Sequence, residues 1–134
     1  MPLLFDASAL INLMMRGSGK VLSSTRNSSV LDLTQYEIGN AVWRLCALER
    51  KLTGDEASTL LGTATDLFEQ LGRVSFHELN ADRILEIAIS DKLSFYDASY
   101  VVAAELKRMT LVTDDAELRE PARKYVSVQR STAI

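Results

Sequence analysis

The chain has 134 residues, of which 47% are hydrophobic and 25% charged, and its formal net charge is −3. These values are typical of one ordinary globular domain, which we expect to span residues 1–134, and they exclude disordered and collagen-like chains. The acidic balance argues against a protein that binds nucleic acid through a general basic surface. Because Cys46 is the only cysteine and no apolar run reaches the ~20 residues that span a bilayer, we expect a cytoplasmic protein without an internal disulfide or membrane segment.

The first predicted strand ends at an acidic residue. The apolar residues 3–5 predict a buried strand, Asp6 follows it, and residues 8–15 predict a helix. A turn-rich break at residues 16–19 then leads to a short helix that ends near Arg26. We therefore expect Asp6 at the carboxyl end of a strand, next to the start of a helix.

The middle of the chain alternates strands with longer helices. Residues 29–33 predict a second strand, and apolar residues at helical spacing predict a helix over 35–50. The segment Thr53–Glu56 has the spacing of a capping box and introduces a helix that ends near Leu71. A third strand is expected at residues 74–77, and it would contain His77 as a structural residue.

The last third of the chain completes the alternation. Asn80 and Ser94 are predicted N-caps of the next two helices. The predicted elements are helices over 80–89 and 95–107, a strand over 110–113, a helical turn after Asp115 and a strand over 125–128. This order predicts an α/β fold with three layers, in which helices cover both faces of a mostly parallel sheet of about five strands. We expect residues 131–134 to fray.

Four acids lie at strand ends or in the first turns of predicted helices. Asp6, Glu37 and Asp97 each stand alone in an apolar stretch, without a lysine or arginine beside them, and Asp115 follows the fourth strand. A carboxylate in apolar surroundings costs several kcal/mol unless a hydrogen bond, an opposite charge or a metal compensates it. Ligands of open parallel sheets bind beyond the carboxyl ends of the strands. The pattern therefore indicates a site for one or two Mg²⁺ or Mn²⁺ ions.

Each of these acids also has a purely structural interpretation. Asp6 could cap the helix that follows the first strand. Thr34–Glu37 and Ser94–Asp97 both have capping-box spacing, and an acid in a first helical turn also complements the helix dipole. Asp114 and Asp115 could simply form a polar turn. The sequence leaves both interpretations open, and capping does not exclude metal binding.

The motifs that carry these acids resemble the PIN domains, and among them the VapC-type toxins of prokaryotic toxin-antitoxin pairs. The resemblance covers most of the chain. It rests on Leu-Phe-Asp-Ala-Ser-Ala-Leu at residues 4–10, on Glu37 with Asn40, on Phe-Tyr-Asp-Ala-Ser-Tyr-Val at 95–101, and on Leu-Val-Thr-Asp-Asp at 111–115. The family's last motif reads Thr, any residue, Asp, which selects Asp115 and leaves Asp114 as the second choice.

The resemblance implies a divalent-metal-dependent endoribonuclease that hydrolyses RNA phosphodiester bonds and leaves a 5′ phosphate. It implies that Asp6, Glu37, Asp97 and Asp115 are the metal ligands and catalytic residues. It also implies supporting roles for Ser8, Asn40 and Thr113, a homodimer, and a VapB-like antitoxin that inserts a segment near the acidic groove. Four basic residues are candidates for contacts with RNA phosphates: Arg16, Lys20, Arg26 and Arg44.

Three other functions stay open at this point. An RNA-processing PIN nuclease without an antitoxin would have the same acids. A phosphoacceptor signalling domain would also bind magnesium, but its expected acid pair after the first strand is missing, because Ala7 and Ser8 follow Asp6. A folded interaction module would show no manganese-dependent cleavage of RNA.

Overall fold

A parallel sheet of five short strands organises the protein. The computed structural model describes residues 2–17 and 27–134. The strands are β1 (Leu3–Phe5), β2 (Ser28–Leu31), β3 (Gly72–Val74), β4 (Thr110–Val112) and β5 (Val128–Gln129). The described helices are α1 (Ala7–Met15), α2 (Asp32–Trp43), α3 (Gly54–Gln70), α4 (Ala81–Asp91), α5 (Phe95–Lys107) and α6 (Ala116–Ala122). Shorter turns are the π-helix Arg44–Leu48 and the 3₁₀ turns Phe76–Glu78 and Ser131–Ala133.

The strand order is β3-β2-β1-β4-β5, and every pair is parallel. The chain moves outward from β1 to β2 and β3, and then returns to the other side of β1 with β4. The strand order therefore reverses between β1 and β4, which is where open parallel sheets bind ligands. Phe5 of β1 is in register with Val112 of β4, and the backbone N–H of Asp6 donates to the carbonyl of Val112 at 3.1 Å. Asp6 and the residues after Val112 consequently lie side by side.

Two hydrophobic clusters cover the two faces of this sheet. Consecutive strand residues point to opposite faces, so Leu4 belongs to one cluster and Phe5 to the other. Residues of α4, α5 and α6 complete the cluster that contains Leu4. Residues of α1, α2 and α3 complete the cluster that contains Phe5. The predicted three-layer α/β architecture with five mostly parallel strands is confirmed, and the strands are all parallel.

Side-chain caps set the starts of several helices where the sequence predicts them. Thr53 accepts from the backbone N–H of Glu56 at 3.1 Å, and Glu56 accepts from that of Thr53 at 3.0 Å, which confirms the capping box before α3. Asn80 caps α4. Ser94 caps α5, whose bounds match the predicted 95–107. Such caps satisfy backbone N–H groups that the first helical turn leaves without partners.

Several boundaries differ from the prediction. β2 ends at Leu31 rather than residue 33, because the hydroxyl of Thr34 accepts from the backbone N–H of Leu31 at 3.0 Å and starts α2 at Asp32. The helix predicted over 35–50 ends as α2 at Trp43 and continues as the five-residue π-helix. The short helix expected to end near Arg26 lies outside the described residues.

The third and fifth strands also differ from the prediction. β3 spans Gly72–Val74, and His77 lies in a 3₁₀ turn because Ser75 and Glu78 cap each other's backbone there. β5 is limited to Val128–Gln129. The segment expected to fray forms a 3₁₀ turn in which Ser131 is buried. Across residues 2–17 and 27–134, no helix combines the length and apolar character needed to cross a membrane.

Candidate active site

Asp6 is the most buried acid at the carboxyl edge of the sheet. Its side chain is 5% exposed. It caps α1 through Oδ1, which accepts from the backbone N–H of Ala9 at 3.0 Å and from Ser8 Oγ at 2.8 Å. Its Oδ2 accepts from Thr113 Oγ1 at 2.5 Å. Asp6 therefore caps α1 and also lies beyond the end of β1, among the acids at the sheet edge. Hydrogen bonds hold both of its carboxylate oxygens in that position.

Ser8 and Thr113 join the ends of β1 and β4. Each hydroxyl donates to one oxygen of Asp6, and each accepts a backbone N–H from the β4–α6 loop. Ser8 Oγ accepts from Asp114 at 3.1 Å, and Thr113 Oγ1 accepts from Asp115 at 3.1 Å. The two hydroxyls lie 3.4 Å apart. These bonds fix the position of Asp6 relative to the loop that carries Asp115. The supporting roles of Ser8 and Thr113 that the resemblance implies stay a prediction.

Glu37 projects from the second turn of α2 and is half-buried. Because Asp32 is the first residue of α2, Thr34 is not its N-cap, and the capping-box interpretation of Thr34 with Glu37, which the sequence left open, is wrong. The Glu37 carboxylate instead accepts from the Tyr100 hydroxyl at 2.5 Å. Asn40 is exposed one turn further along α2 and lines the same cavity as Glu37.

Asp97 lies in the first turn of α5 and is partly buried. Its backbone N–H donates to Ser94 Oγ at 3.0 Å. Within the described ranges, its carboxylate accepts no side-chain or backbone hydrogen bond, so the reciprocal half of a capping box with Ser94 is not formed. Both oxygens of Asp97 are therefore open to another ligand.

Asp114 and Asp115 follow β4 but have different partners. Asp115 caps α6, where its Oδ1 accepts from the backbone N–H of Glu117 at 3.0 Å. Asp114 accepts from Asn12 Nδ2 at 2.7 Å, and from the backbone and hydroxyl of Ser131 at 2.8 and 2.5 Å. Arg16 donates to the same Ser131 hydroxyl at 2.7 Å. Asp114 thus ties α1 to the C-terminal 3₁₀ turn.

Four acids at the sheet edge interact through their charges: Asp6, Glu37, Asp97 and Asp115. Burial raises the pKa of Asp6, against the hydrogen bonds from its partners, and the charge of Asp115 raises it further. Burial also raises the pKa of Glu37, against the hydrogen bond from Tyr100, and the charges of Asp6 and Asp97 add to that effect. Burial, with the charges of Asp115 and Asp6, raises the pKa of Asp97 to about 6. The sheet edge therefore gathers residues that were far apart in the sequence.

The donor chemistry of this group suits a hard divalent cation. In the described part of the chain, none of the ion pairs involves Asp6, Glu37, Asp97 or Asp115. Partly buried carboxylates that repel one another without a basic partner are stabilised by Mg²⁺ or Mn²⁺. Over residues 2–17 and 27–134, no three Asp, Glu, His or Cys side chains are already arranged to hold one ion. Binding would thus require their side chains to close around it.

A cavity of about 690 Å³ opens beside Glu37. Residues of α1 and α2 form its walls, and the aromatic side chains of Tyr36 and Tyr96 are 81% and 60% exposed at its border. Arg44 also lines this cavity. Of the other basic residues proposed for RNA contacts, Arg16 binds Ser131, whereas Lys20 and Arg26 lie outside the described residues.

Comparison with known proteins identifies the family. The model of the PIN domain matches residues 3–124. The chain belongs to the PIN-domain family. The resemblance read from its motifs is therefore confirmed, and the sheet described above is the core of a PIN domain.

Two curated relatives of this PIN domain come from Pyrobaculum aerophilum. The chain is 34% identical to Exonuclease VapC9 over 94% of its own length and 90% of the relative's. It is 32% identical to Ribonuclease VapC3 over 90% of its own length and 94% of the relative's. Both names describe nucleases, which is the class of enzyme that the resemblance implies.

Solved structures have the same fold. A crystal structure of a Pyrobaculum aerophilum protein matches with a TM-score of 0.81 and 30% identity, over 99% of this chain and 85% of that one. A chain of a toxin-antitoxin complex from Klebsiella pneumoniae matches with a TM-score of 0.66 and 18% identity, over 96% of each chain. The second likeness shows the fold alone.

Two residues of this PIN domain that the sequence did not single out for the site are Tyr100, which contacts one of the four acids, and Thr34, which contacts Tyr100. Tyr100 binds Glu37, and Thr34 lies 2.8 Å from the Tyr100 hydroxyl. Both are buried, at 1% and 0% exposure. Tyr100 lies three residues after Asp97, and residues at this spacing share a helical face. The Tyr100 hydroxyl lies on the inward face of α5. A buried hydroxyl needs a hydrogen-bond partner, and this was the sequence pattern that could have indicated one.

Proposed function

We propose that this PIN domain is a Mg²⁺- or Mn²⁺-dependent endoribonuclease of the VapC type. Asp6, Glu37, Asp97 and Asp115 would hold one or two ions and act in hydrolysis of RNA phosphodiester bonds, with Ser8, Asn40 and Thr113 in support. The observation that carries this proposal is the convergence of the four acids in one field, with a raised pKa at Asp6, Glu37 and Asp97 and no basic partner for any of the four in the described ranges. The names of the VapC relatives support the reaction class.

Asp6 and Asp97 would have different roles in the site, because they differ in the hydrogen bonds that they accept. A bound divalent ion supplies charge neutralisation at the scissile phosphate and lowers the pKa of a water molecule. Asp6 is held by three hydrogen bonds and would anchor the site. Asp97, whose carboxylate accepts no hydrogen bond in the described ranges, would accept the proton of the attacking water at its carboxylate.

We further propose a VapB-like antitoxin and a homodimer as the protein's assemblies. The VapC names of the relatives and the fold shared with a toxin-antitoxin chain support the first of these. An antitoxin segment that covers the acidic edge would block the approach of RNA. Within the same family, a nuclease without an antitoxin stays the alternative, and a search for a bound partner after expression with the neighbouring gene separates the two.

The test compares wild type with Asp97→Asn on a circular RNA, in Mn²⁺ and in EDTA. Only an endonuclease opens a circle, so this substrate also separates the proposed activity from that of a relative named as an exonuclease. We expect Mn²⁺-dependent opening by wild type and a loss of at least about 100-fold in Asp97→Asn, the range for removal of an acid-base group.

Asp55→Asn is the matched control, because Asp55 is also an acid in the first turn of a long helix but lies in α3. It should cleave within about twofold of wild type. Equal cleavage in EDTA and Mn²⁺, or folded Asp97→Asn with wild-type activity, would contradict the proposal. Folding of each variant is checked by circular dichroism.

A further inference from the structure

A directed chain of hydrogen bonds ends on Glu37. Tyr100 Oη donates to Glu37 Oε1 at 2.5 Å and lies 2.8 Å from Thr34 Oγ1. A phenol has one proton. Since Tyr100 gives that proton to Glu37, Thr34 must donate its own proton to Tyr100. Thr34 in turn accepts from the backbone N–H of Leu31 at 3.0 Å. All the bonds therefore run in one direction, from the start of α2 to the carboxylate.

The members of this chain are rigidly placed. Tyr100 and Thr34 are 1% and 0% exposed, and the Tyr100 ring belongs to the hydrophobic cluster beneath α4, α5 and α6. A buried aromatic ring in a packed core has little rotational freedom. The hydroxyl of Tyr100 thus has a fixed position. A glutamate side chain without such a partner has several rotatable bonds, which must be ordered when it binds a cation.

The chain of bonds also connects two acids of the site. Glu37 lies on α2, whereas Tyr100 lies on α5 one helical turn after Asp97. A bond from Tyr100 to Glu37 therefore sets the position of the Glu37 carboxylate relative to the helix that carries Asp97. Coordination of Mg²⁺ or Mn²⁺ demands ligand distances of about 2.1 Å in a near-octahedral arrangement, so the relative position of ligands affects affinity.

We propose that Tyr100, oriented by Thr34, is a positioning residue that sets the Glu37 carboxylate for the divalent cation. This inference rests on the proposed function. Hydrogen bonds from surrounding residues to metal ligands commonly contribute 10- to 100-fold to metal affinity. Tyr100 does not need to touch RNA for this role, because it acts through Glu37. A merely structural role would instead affect only stability.

The experiment measures Mn²⁺ binding to the whole chain by isothermal titration calorimetry, without RNA. Tyr100→Phe keeps the ring and removes the donor, and we expect its Mn²⁺ affinity to fall by about tenfold. The matched control is Tyr125→Phe, which removes a hydroxyl that donates to Asp91 Oδ2 at 2.5 Å, away from the site. We expect Tyr125→Phe to bind Mn²⁺ within about twofold of wild type, because its lost bond does not involve the four acids.

Variants of Thr34 test the direction of the chain. Thr34→Val keeps the shape and removes the hydroxyl, and we expect a smaller loss of affinity, of about threefold. Thr34→Ser keeps the hydroxyl and should restore wild-type binding. Thr34 also binds the backbone N–H of Leu31 at the start of α2. If it acts on Glu37 through Tyr100 and not through the start of α2, the double variant Thr34→Val/Tyr100→Phe should bind Mn²⁺ no more weakly than Tyr100→Phe. The single variants Thr34→Val and Thr34→Ser also keep the test decisive if Tyr100→Phe does not fold.

The outcomes separate this inference from the proposed function. If wild type binds Mn²⁺ and cleaves RNA but folded Tyr100→Phe and Thr34→Val bind Mn²⁺ as wild type does, the positioning role is wrong and the nuclease proposal stands. If wild type binds no Mn²⁺, both are wrong. A loss of stability in Tyr100→Phe equal to that in Tyr125→Phe, with unchanged Mn²⁺ affinity, would assign Tyr100 to the core alone.

Discussion

Asp114 and Asp97 lie in opposite electrostatic environments within one molecule. Partial burial acts to raise the pKa of Asp114, but hydrogen bonds from Ser131 and Asn12 and the charge of Arg16 outweigh it and lower that pKa. Asp97 has no such donors, and burial with the charges of Asp115 and Asp6 raises its pKa to about 6. Three donors from the protein hold the first carboxylate, whereas no donor in the described ranges holds the second.

The comparison separates two neighbours that the sequence presents as equivalent. Asp114 and Asp115 follow the same strand, but only Asp115 acts on both Asp6 and Asp97 through its charge. Asp114 uses its oxygens to hold Asn12 and the C-terminal turn. The charge of Asp114 is not among those that raise the pKa of Asp6 or of Asp97. We therefore prefer Asp115 to Asp114 as a proposed metal ligand. The role that we give Asp114 is to hold Asn12 of α1 and Ser131 of the C-terminal turn together.

The largest expected effect comes from Asp115→Asn. Asparagine can still cap α6, so the free energy of unfolding should change by less than about 1 kcal/mol. RNA cleavage in Mn²⁺ should fall by at least about 100-fold, because the negative charge facing Asp6 and Asp97 is lost. Initial cleavage rates and urea unfolding measure the two effects. Wild-type cleavage by folded Asp115→Asn would remove Asp115 from the proposed site.

The next effect comes from Asp114→Ala and concerns stability. Removal of the carboxylate leaves Asn12 and both donors of Ser131 without this partner, and we expect a loss of about 2 kcal/mol in the free energy of unfolding. Ser131→Ala removes one of these bonds and should cost about 1 kcal/mol. Urea unfolding measures both. If Asp114→Ala instead abolished Mn²⁺ binding without loss of stability, Asp114 would be the metal ligand and Asp115 would have the structural role.

The smallest effect is the pH dependence of Asp97 without metal. Its pKa is raised from 3.8 to about 6 in the folded protein, so the folded state binds the proton more tightly than the unfolded chain does. The resulting stability is present below about pH 4 and is lost as pH rises to about 6. Asp97→Asn does not titrate there, and its stability relative to wild type should therefore increase over this range.

The gain expected for Asp97→Asn at pH 7 in EDTA is about 1 kcal/mol, after a reduction for solvent screening of a partly exposed group. At pH 4 it should vanish. Urea unfolding at both pH values measures it, with Asp55→Asn as the control that should show no such gain. A gain of the same size at both pH values would mean that ionisation of the Asp97 carboxylate, disfavoured by burial and by the neighbouring acids, is not its source.

Much of the fold was predictable because it depends on local patterns. The bounds of α5 follow from the Ser94 cap and an apolar run, and the cap of α3 follows from Thr53 and Glu56. The alternation of strands and helices predicted the layers. Predicted boundaries were wrong where one side chain could form either of two hydrogen bonds. Thr34 could have capped a helix by accepting from the backbone N–H of Glu37. It accepts instead from the backbone N–H of Leu31, so that β2 ends earlier than predicted.

Residue spacing and hydrophobic periodicity were enough to predict the secondary-structure order, the three layers and the isolation of Asp6, Glu37 and Asp97. Which polar groups form hydrogen bonds depends instead on tertiary packing. Tyr100 and Glu37 are 63 positions apart, and Ser131 and Asp114 are 17 apart. Hydrogen bonds act over about 3 Å, so they depend on how the helices pack across the sheet, which spacing along the chain does not specify.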